Sequence, residues 1–307
     1  MATHRLAATG NTTADVYSRD HRPVLTVRPG DRLVVDSLDA SGHLERQRIP
    51  GEARPRMFAE ARGHCLTGPI AVEGARAGDM LALRLEALRP GPWGWTVAAV
   101  RESPVTTRLG VLEAGPRWLL WEIDADAGTA TADRGFVRRL APFLGVMGVA
   151  PAAPGEHRTT PPRPEVGGNI DCRELVAGAT LFLPVPVDGA LLYLGDGHAA
   201  QGDGEVGGTA IECPMTTELV LDLAPGRPVP SVHAETPAGR ITFGFSADLN
   251  VAMGDALAAM VSWMTLLLGV DKGTALALAG TVVDLRITQV ANQTWGVHAV
   301  LPAGTVD

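Results

Sequence analysis

The fold class is decided by a short stretch that reads AGDMLALRLEA at residues 77–87. In it Leu81, Leu83, Leu85 and Ala87 alternate with Arg84 and Glu86, which is the period of a half-buried β-strand. The glycine before the strand permits a positive φ in a tight turn. The same turn-plus-strand pattern recurs as PGDRLVV at residues 29–35 and as AGATLFL at residues 177–183. This pattern predicts a β-sandwich or β-barrel core.

Outward from this stretch, the pattern of apolar residues changes near the C-terminal end of the chain. The 36 glycines and 23 prolines of the chain break most of it into short apolar stretches, as all-β cores require. After Ser246, however, Asp248 can cap a helix whose apolar residues follow at helical spacing as far as Leu267. Gly269 is a stop signal, residues 274–279 can form a second short helix, and residues 283–287 alternate like a return strand. The predicted class is α+β, predominantly β, with a C-terminal helical pair and return strand.

The segment at residues 150–164 is rich in Pro, Ala and Thr and predicts a long crossing loop. It divides the chain into a β-rich N-terminal half at residues 1–150 and a C-terminal α+β half at residues 165–307. We expect the two halves to pack as one unit.

Charge and hydropathy narrow the classes of function. The net charge is −8 and no run of basic residues occurs, which disfavours a nucleic-acid partner. No uninterrupted apolar run approaches the roughly 20 residues of a membrane span, and the N-terminus is polar, so we expect a cytoplasmic protein without a membrane partner. The three cysteines are an odd number without a CxxC pair, which disfavours a disulfide framework.

Two segments concentrate polar chemistry. The first is GGNID at residues 167–171, and the second is GDGHAAQGDGE at residues 195–205, which continues to Glu212. Six glycines between residues 195 and 208 surround carboxylates, one imidazole and one carboxamide. Glycine at this density costs backbone entropy, so it indicates a main chain that turns sharply or approaches a ligand closely. A solvated surface loop remains the alternative.

One histidine among several carboxylates is an oxygen-rich ligand set. It suits Zn²⁺ in a catalytic site with an open position, or Mn²⁺, Mg²⁺ or Ca²⁺. The spacing matches neither an EF-hand nor HExxH, so the residues alone indicate an ion or a polar small molecule.

Five stretches together carry a resemblance to the acetamidase/formamidase family. They are the GGNID and GDGHAAQGDGE segments, LPVPVDGA at residues 183–190, TGPIAVEGARAGD at residues 67–79 and PFLGVMGVAP at residues 142–151. The similarity extends from about Tyr17 to the C-terminal helical region. It implies hydrolysis of a short carboxamide to a carboxylate and ammonia, in a β-rich homo-oligomer (a dimer or higher) that is associated with a divalent metal.

The resemblance also implies roles for individual residues. Glu205 is the expected general base, and His198 is expected to serve both catalysis and the metal. Asn169 and Gln201 are expected to bind the substrate carbonyl or amide. The further metal ligands implied are Asp39, His64, Asp171 and Glu212. Zn²⁺ is the first choice of metal, with Ca²⁺ or Mg²⁺ as alternatives.

Some of these residues also have plain structural interpretations. Asp39 can cap a turn, and His64 can be an ordinary loop residue, because this chain has His64-Cys65-Leu66 where family members have Asn-Pro before the TGP motif. Asp196 and Asp203 can stabilise glycine turns through Asx-type bonds. Cys172 and Cys213 are expected to be buried and inert.

Other amide-hydrolase mechanisms fit the sequence poorly. Lys272 is the only lysine and lies far from any glycine- and serine-rich run or suitable cysteine, which disfavours Ser-Ser-Lys and Cys-Glu-Lys sites. The G-x-S-x-G motif of Ser-His-Asp hydrolases is absent. Two alternatives remain open: a hydrolase of a larger, cyclic or ring-bearing amide on the same scaffold, and a non-catalytic, metal-stabilised protein that binds small polar molecules.

Overall fold

The computed structural model describes residues 1–227 and 229–306. Strands account for 40% of the chain and helices for 13%, which confirms the predicted α+β class with predominant β-structure.

The N-terminal part of the chain is almost entirely strands. They are β1 (Thr3–Leu6), β2 (Thr13–Ala14), β3 (Val16–Tyr17), β4 (Leu25–Val27), β5 (Arg32–Ser37), β6 (Leu66–Val72), β7 (Met80–Pro90), β8 (Trp93–Ala98), β9 (Arg117–Asp124), β10 (Thr129–Ala132), β11 (Val137–Arg139), β12 (Phe143–Val149) and β13 (His157–Arg158). Between β8 and β9 lie helix α1 (Pro104–Leu109) and a 3₁₀ turn (Leu112–Ala114).

The C-terminal part adds strands and the two longer helices. These elements are β14 (Gly167–Asn169), β15 (Thr180–Pro184), β16 (Leu192–His198), β17 (Glu212–Cys213), β18 (Met215–Leu223), β19 (His233–Thr236), β20 (Gly239–Ser246), α2 (Leu249–Leu268), α3 (Lys272–Val282), β21 (Asp284–Gln289) and β22 (Trp295–Pro302).

Two large sheets share one hydrophobic core. The nine-stranded sheet has the order β1-β5-β18-β7-β15-β19-β20-β22-β21. The eleven-stranded sheet follows the order β11-β10-β9-β8-β17-β16-β12-β14, with β6 also paired to β16 and carrying β2 and β4. Leu83 and Leu221 from the first sheet and Leu144 and Leu194 from the second belong to the same buried cluster. Each sheet contains strands from both sides of residues 150–164, and the division into two halves stays a prediction.

The three turn-plus-strand segments of the sequence all enter the nine-stranded sheet. They form β5, β7 and β15, with β18 hydrogen-bonded between β5 and β7. Leu81, Leu83 and Leu85 are buried as their alternation predicts. The alternation then shifts, because a β-bulge at Glu86 leaves Ala87 opposite Glu218 and turns Leu88 inward.

The C-terminal helices confirm the capping signals read from the sequence. The Asp248 side chain accepts a hydrogen bond from the backbone of Asn250 at the start of α2, and Gly269 ends that helix with φ 64°. Helix α3 begins after Asp271 and is longer at both ends than the predicted segment 274–279. The predicted return strand is β21, at the edge of the sheet.

Helix α2 packs against β20 and β22. Its 20 residues also meet the length and hydropathy criteria for a membrane span, with a mean hydropathy of 1.7 in the best window, of which 33% is buried. The sequence interpretation, which counted only uninterrupted apolar runs, missed this property. A core helix of a soluble protein passes the same test, so the absence of a membrane partner stays a prediction.

Candidate active site

The second polar segment continues a strand before it becomes a loop. Residues 192–198 form β16, in which Asp196 and His198 lie two residues apart and so project from the same face. His198 pairs across the sheet with Glu212, the first residue of β17. Glycines flank these residues because the neighbouring strand leaves no room: a Cβ at Gly197 would lie 2.6 Å from the carbonyl oxygen of Cys213. The register of β16 and β17 therefore brings Asp196, His198 and Glu212 together.

The first polar segment meets β16 across strand β12. The amide nitrogens of Ile170 and Asp171 both approach the carbonyl oxygen of Gly145, at 2.9 and 3.2 Å. Asp171 has a φ of 54°, which turns the chain sharply as it leaves β14. A Cβ at Gly145 would lie 2.6 Å from a carboxylate oxygen of Asp171 and 2.6 Å from one of Asp196. The absence of a side chain at Gly145 thus leaves room for the two carboxylates to approach each other.

These side chains present a set of buried ligand atoms to one another. His198 Nε2 lies 3.5 Å from Asp196 Oδ1 and 3.4 Å from Glu212 Oε2. These three atoms and both carboxylate oxygens of Asp171 have no hydrogen-bond partner among the described residues. Leaving five buried polar atoms unpaired would cost several kcal/mol, on the order of 1–3 kcal/mol for each. An imidazole nitrogen and carboxylate oxygens at these separations fit a divalent cation.

The orientation of the His198 ring is fixed from behind. Nδ1 lies 2.9 Å from Gln201 Oε1, and Gln201 Nε2 donates to the carbonyl oxygen of Asp171 at 2.8 Å. Because the Gln201 nitrogen must face that carbonyl, its oxygen faces Nδ1, so Nδ1 carries a proton and Nε2 is the nitrogen that can bind a cation. Phe143 packs edge-on against the ring, with the centroids 5.0 Å apart. This is the arrangement that metal-ligating histidines use.

Burial and neighbouring charges shift the pKa values of the cluster in both directions, and His198 and His64 hold the pKa of Asp196 below its usual range against the effect of burial. Burial raises the pKa of Glu205 well above its usual range, and the nearby charge of Asp171 adds to the effect. Burial also raises the pKa of Asp171 well above its usual range and that of Glu212 to about 7, against the opposing effect of His198. Burial alone would lower the pKa of His198, but the charges of Glu212 and Asp196 raise it above its usual range. A bound cation would lower the pKa of these carboxyl groups, because its positive charge favours their ionised form.

The cluster opens into a cleft of about 760 Å³. Asn169, Asp171, Asp196, Glu205 and Glu212 line its base. The side-chain oxygen of Asn169 is buried there without a hydrogen-bond partner among the described residues. A small molecule bound in the cleft would therefore contact the Asn169 amide beside the carboxylates.

His64 and Trp95 line the same cleft. His64 Nε2 lies 4.0 Å from Asp196 Oδ2, and its Nδ1 lies 3.2 Å from Thr159 Oγ1. Burial lowers the pKa of His64, which favours the neutral ring. The structure thus brings His64 to the edge of the ligand cluster.

Asp39 and Gln201 have contacts that the sequence did not predict. Asp39 is fully buried, but its oxygens accept hydrogen bonds from His43 and from the Trp95 indole nitrogen at 2.7 Å, so it is not among the unpaired ligand atoms. Both polar atoms of the Gln201 amide are already used by His198 and Asp171. Their predicted roles as a metal ligand and a substrate contact find no support in these contacts.

Asp196 lies among the unpaired ligand atoms, whereas the sequence indicated only a role in stabilising a glycine turn. The available signal was the spacing of two between Asp196 and His198, which places both on one face once the segment is a strand.

Comparisons with known proteins identify the family of this chain. A model of the acetamidase/formamidase family matches residues 3–157 and 152–237. A Schizosaccharomyces pombe protein whose name includes formamidase is 28% identical over 287 residues, 73% of this chain and 70% of that protein. An acetamidase of Mycolicibacterium smegmatis is 28% identical over 260 residues, 66% of this chain and 63% of that protein. The crystal structure of an acetamidase from Bacillus halodurans, 26% identical, superposes with a TM-score of 0.85 and covers 97% of both chains. The resemblance seen in the sequence is confirmed, and this chain belongs to the acetamidase/formamidase family.

Proposed function

We propose that this protein hydrolyses a short carboxamide, of the formamide or acetamide kind, to a carboxylate and ammonia with the help of a divalent cation. The observation that carries the proposal is the convergence of unpaired ligand atoms from Asp171, Asp196, His198 and Glu212 at the base of an open cleft. Family membership and the names of the relatives support the reaction type.

The cation would be held by His198 Nε2 and by oxygens of Asp171, Asp196 and Glu212, with His64 beside them. Zn²⁺ is our first choice because an imidazole is present, and Ca²⁺ or Mg²⁺ are the alternatives because the remaining donors are carboxylates. When bound, such an ion polarises a carbonyl group and lowers the pKa of water.

The chain's own residues would carry binding and proton transfer. Asn169, with a free side-chain oxygen in the cleft, can accept a hydrogen bond from the NH₂ group of the amide substrate. Glu205 lines the cleft beside the ligand cluster and is buried, so its carboxylate can take a proton from the attacking water and deliver it to the departing nitrogen. An amide needs this second transfer because the unprotonated amine is a poor leaving group.

Ammonia release tests the proposal directly. The purified protein is assayed with formamide, acetamide, propionamide and benzamide, before and after chelation and after Zn²⁺, Ca²⁺ or Mg²⁺ is restored. We expect turnover of a short amide that is lost with the metal and returns with one of the ions. Activity that survives complete metal removal would contradict the metal-dependent mechanism.

Metal content in variants tests the ligand set. His198→Ala and Asp171→Ala should each lose the active-site ion. An unchanged metal content at this site in both would contradict the assignment. A metal-loaded protein that releases ammonia from no amide would support the non-catalytic binding function instead.

A larger amide is the second candidate, and the cleft favours it. Its volume of about 760 Å³ is in the range of pockets that enclose drug-sized ligands. Arg56, Arg101 and Arg158 line it and form no ion pair among the described residues. An amide that also carries a carboxylate would meet these cations, so monoamides of dicarboxylic acids belong in the assay. A kcat/KM higher for them than for acetamide would favour this candidate.

We propose a homo-oligomer in the cytoplasm as the working state. Exposed apolar side chains near the C-terminus, including Leu266 and Leu276, support self-association. Light scattering of the purified protein measures its mass in solution.

A further inference from the structure

A second group of potential metal ligands lies behind the active site. It consists of Cys172, Glu174 and His298, all buried, whose ligand atoms lie within 4.8 Å of one another. Cys172 directly follows Asp171, but its side chain belongs to this group and not to the active-site cluster. His298 comes from β22, so the group joins the turn after Asp171 to the C-terminal hairpin that β21 and β22 form.

The two oxygens of Glu174 face different surroundings. Oε1 accepts a hydrogen bond from Arg286 at 2.9 Å. Oε2 lies 3.2 Å from Cys172 Sγ and 3.4 Å from His298 Nε2. The positive charge of Arg286 is shared with Asp284 at 3.6 Å and Asp203 at 4.0 Å. Oε2 accepts a hydrogen bond from the Cys172 thiol, so a cation that displaced the thiol proton would meet this oxygen together with a sulfur and a nitrogen.

The His298 ring is held as a ligand would be. Nδ1 lies 2.7 Å from Thr288 Oγ1, while Nε2 has no hydrogen-bond partner among the described residues and the side chain is fully buried. If Nδ1 donates to Thr288, the lone pair of Nε2 points at Glu174 Oε2 and Cys172 Sγ.

Two of the three separations between ligand atoms are close to those around a bound ion, and the third is within 4.8 Å. Tetrahedral Zn²⁺ with bonds of about 2.0 Å to N and O and about 2.3 Å to S has ligand-to-ligand separations of about 3.3–3.5 Å. The observed 3.2 and 3.4 Å lie close to this range. A thiolate, an imidazole and a carboxylate form a set that is softer than the active-site cluster and that suits Zn²⁺.

We propose that Cys172, Glu174 and His298 form a second divalent-cation site, selective for Zn²⁺-like ions, with a structural role. The site would join β22 to the turn that carries the active-site ligand Asp171. The same hairpin already holds the loop that carries Glu205, because the Gly204 amide donates to the Thr288 carbonyl oxygen at 3.0 Å. An ion here would therefore stabilise two active-site segments without contacting substrate.

Cobalt substitution tests the proposal, because Co²⁺ bound to a thiolate gives a near-ultraviolet charge-transfer band. The full chain is produced in zinc-depleted medium with Co²⁺, so that the ion enters during folding. We expect two Co²⁺ per chain and a thiolate band that disappears in Cys172→Ser. The active-site cluster contains no sulfur, so the band reports on the second site alone.

Matched variants separate the two sites. His198→Ala should lose one Co²⁺ and keep the band, whereas His298→Gln should lose the band and keep the other ion. Cys213→Ser, which changes a buried thiol outside this cluster, should keep both. Wild-type protein that holds Co²⁺ without a thiolate band would overturn the proposal and leave Cys172 as a plain hydrogen-bond donor to Glu174. This outcome needs no variant to fold.

Discussion

Nδ1 of His198 donates a hydrogen bond to the side-chain oxygen of Gln201 over 2.9 Å. The second atom of the Gln201 amide is tied to the carbonyl oxygen of Asp171, so the glutamine links two proposed ligands of one ion. Its position predicts an effect on metal affinity, whereas the sequence predicted a contact with substrate.

We expect Gln201→Leu to weaken active-site metal binding by about 10- to 100-fold, because the His198 ring loses the acceptor that fixes its tautomer. The measurement is the metal dissociation constant from competition with a chelator, together with kcat and KM at saturating metal. Gln201→Glu, which keeps an acceptor for Nδ1, should retain more affinity than Gln201→Leu. A raised KM with unchanged metal affinity would instead support the substrate contact.

Glu205 should be needed for turnover and not for metal retention. Replacing it by Gln removes the proton acceptor while keeping its size, so kcat should fall by about 10²- to 10⁴-fold with little change in KM. Asp203→Asn is the matched control two residues away, since Asp203 faces Arg173 and Arg286. If the Glu205→Gln protein loses its active-site metal as well, the glutamate is a ligand and not the base.

Gly145→Ala should disable the site although it adds only a methyl group. The new Cβ would lie 2.6 Å from oxygens of Asp171 and Asp196 and 2.9 Å from the His198 ring, so these ligands must move. A displacement of this size predicts a loss of activity of about 100-fold or more. Gly202→Ala is the control, because a Cβ there meets no atom within 4 Å. Equal activity in the two variants would show that the ligand cluster is not the reaction centre.

Some parts of the fold could be predicted from the sequence, and others could not. Local signals were sufficient for the alternation of Leu81, Leu83 and Leu85 and for the capping of α2 by Asp248, because these depend on residues close in the chain. The β-bulge at Glu86 depends on the pairing of β7 with β18, which is more than 120 residues away in sequence. No local pattern specifies such a register.

The candidate site likewise contains residues that the sequence could predict and residues whose positions depend on distant strand pairing. The structure brings together His198, Asp171 and Glu212, which the residue types and the resemblance had both indicated. The position of Asp39 beside Trp95 could not be predicted, since the two residues are 56 positions apart in the sequence. Asp196 was undervalued because a glycine-rich segment resembles a turn until its pairing with β12 makes it a strand.

An added methyl group should disturb the interface between α2 and β20 but not the exposed face of α2. A Cβ at Gly244 on β20 would overlap the backbone of Ala252 and Ala256, so Gly244→Ala should lower the free energy of unfolding by about 1–3 kcal/mol or more. Gly254→Ala on the exposed face meets no atom within 4 Å and should raise it by up to about 1 kcal/mol through helix propensity. Denaturant unfolding of both variants measures the difference. If Gly244→Ala is as stable as wild type, the helix does not pack on β20 as described.

Acid should destabilise the protein through His233, which is buried against Phe182 and Trp263. Burial lowers the pKa of His233 to about 4, below the value of about 6.5 expected in the unfolded chain. The neutral ring's contribution to stability is therefore complete above about pH 6.5 and is lost as the pH falls toward 4, since only the unfolded state then takes up the proton. Between pH 7.5 and pH 5 the loss of unfolding free energy from this group amounts to about 2 kcal/mol.

His233→Gln keeps a donor for the Ser231 carbonyl oxygen and an acceptor for Arg227 but does not titrate. Its free energy of unfolding should decline less than that of wild type over this interval, and parallel curves would mean that His233 is already protonated or accessible to water in the folded state.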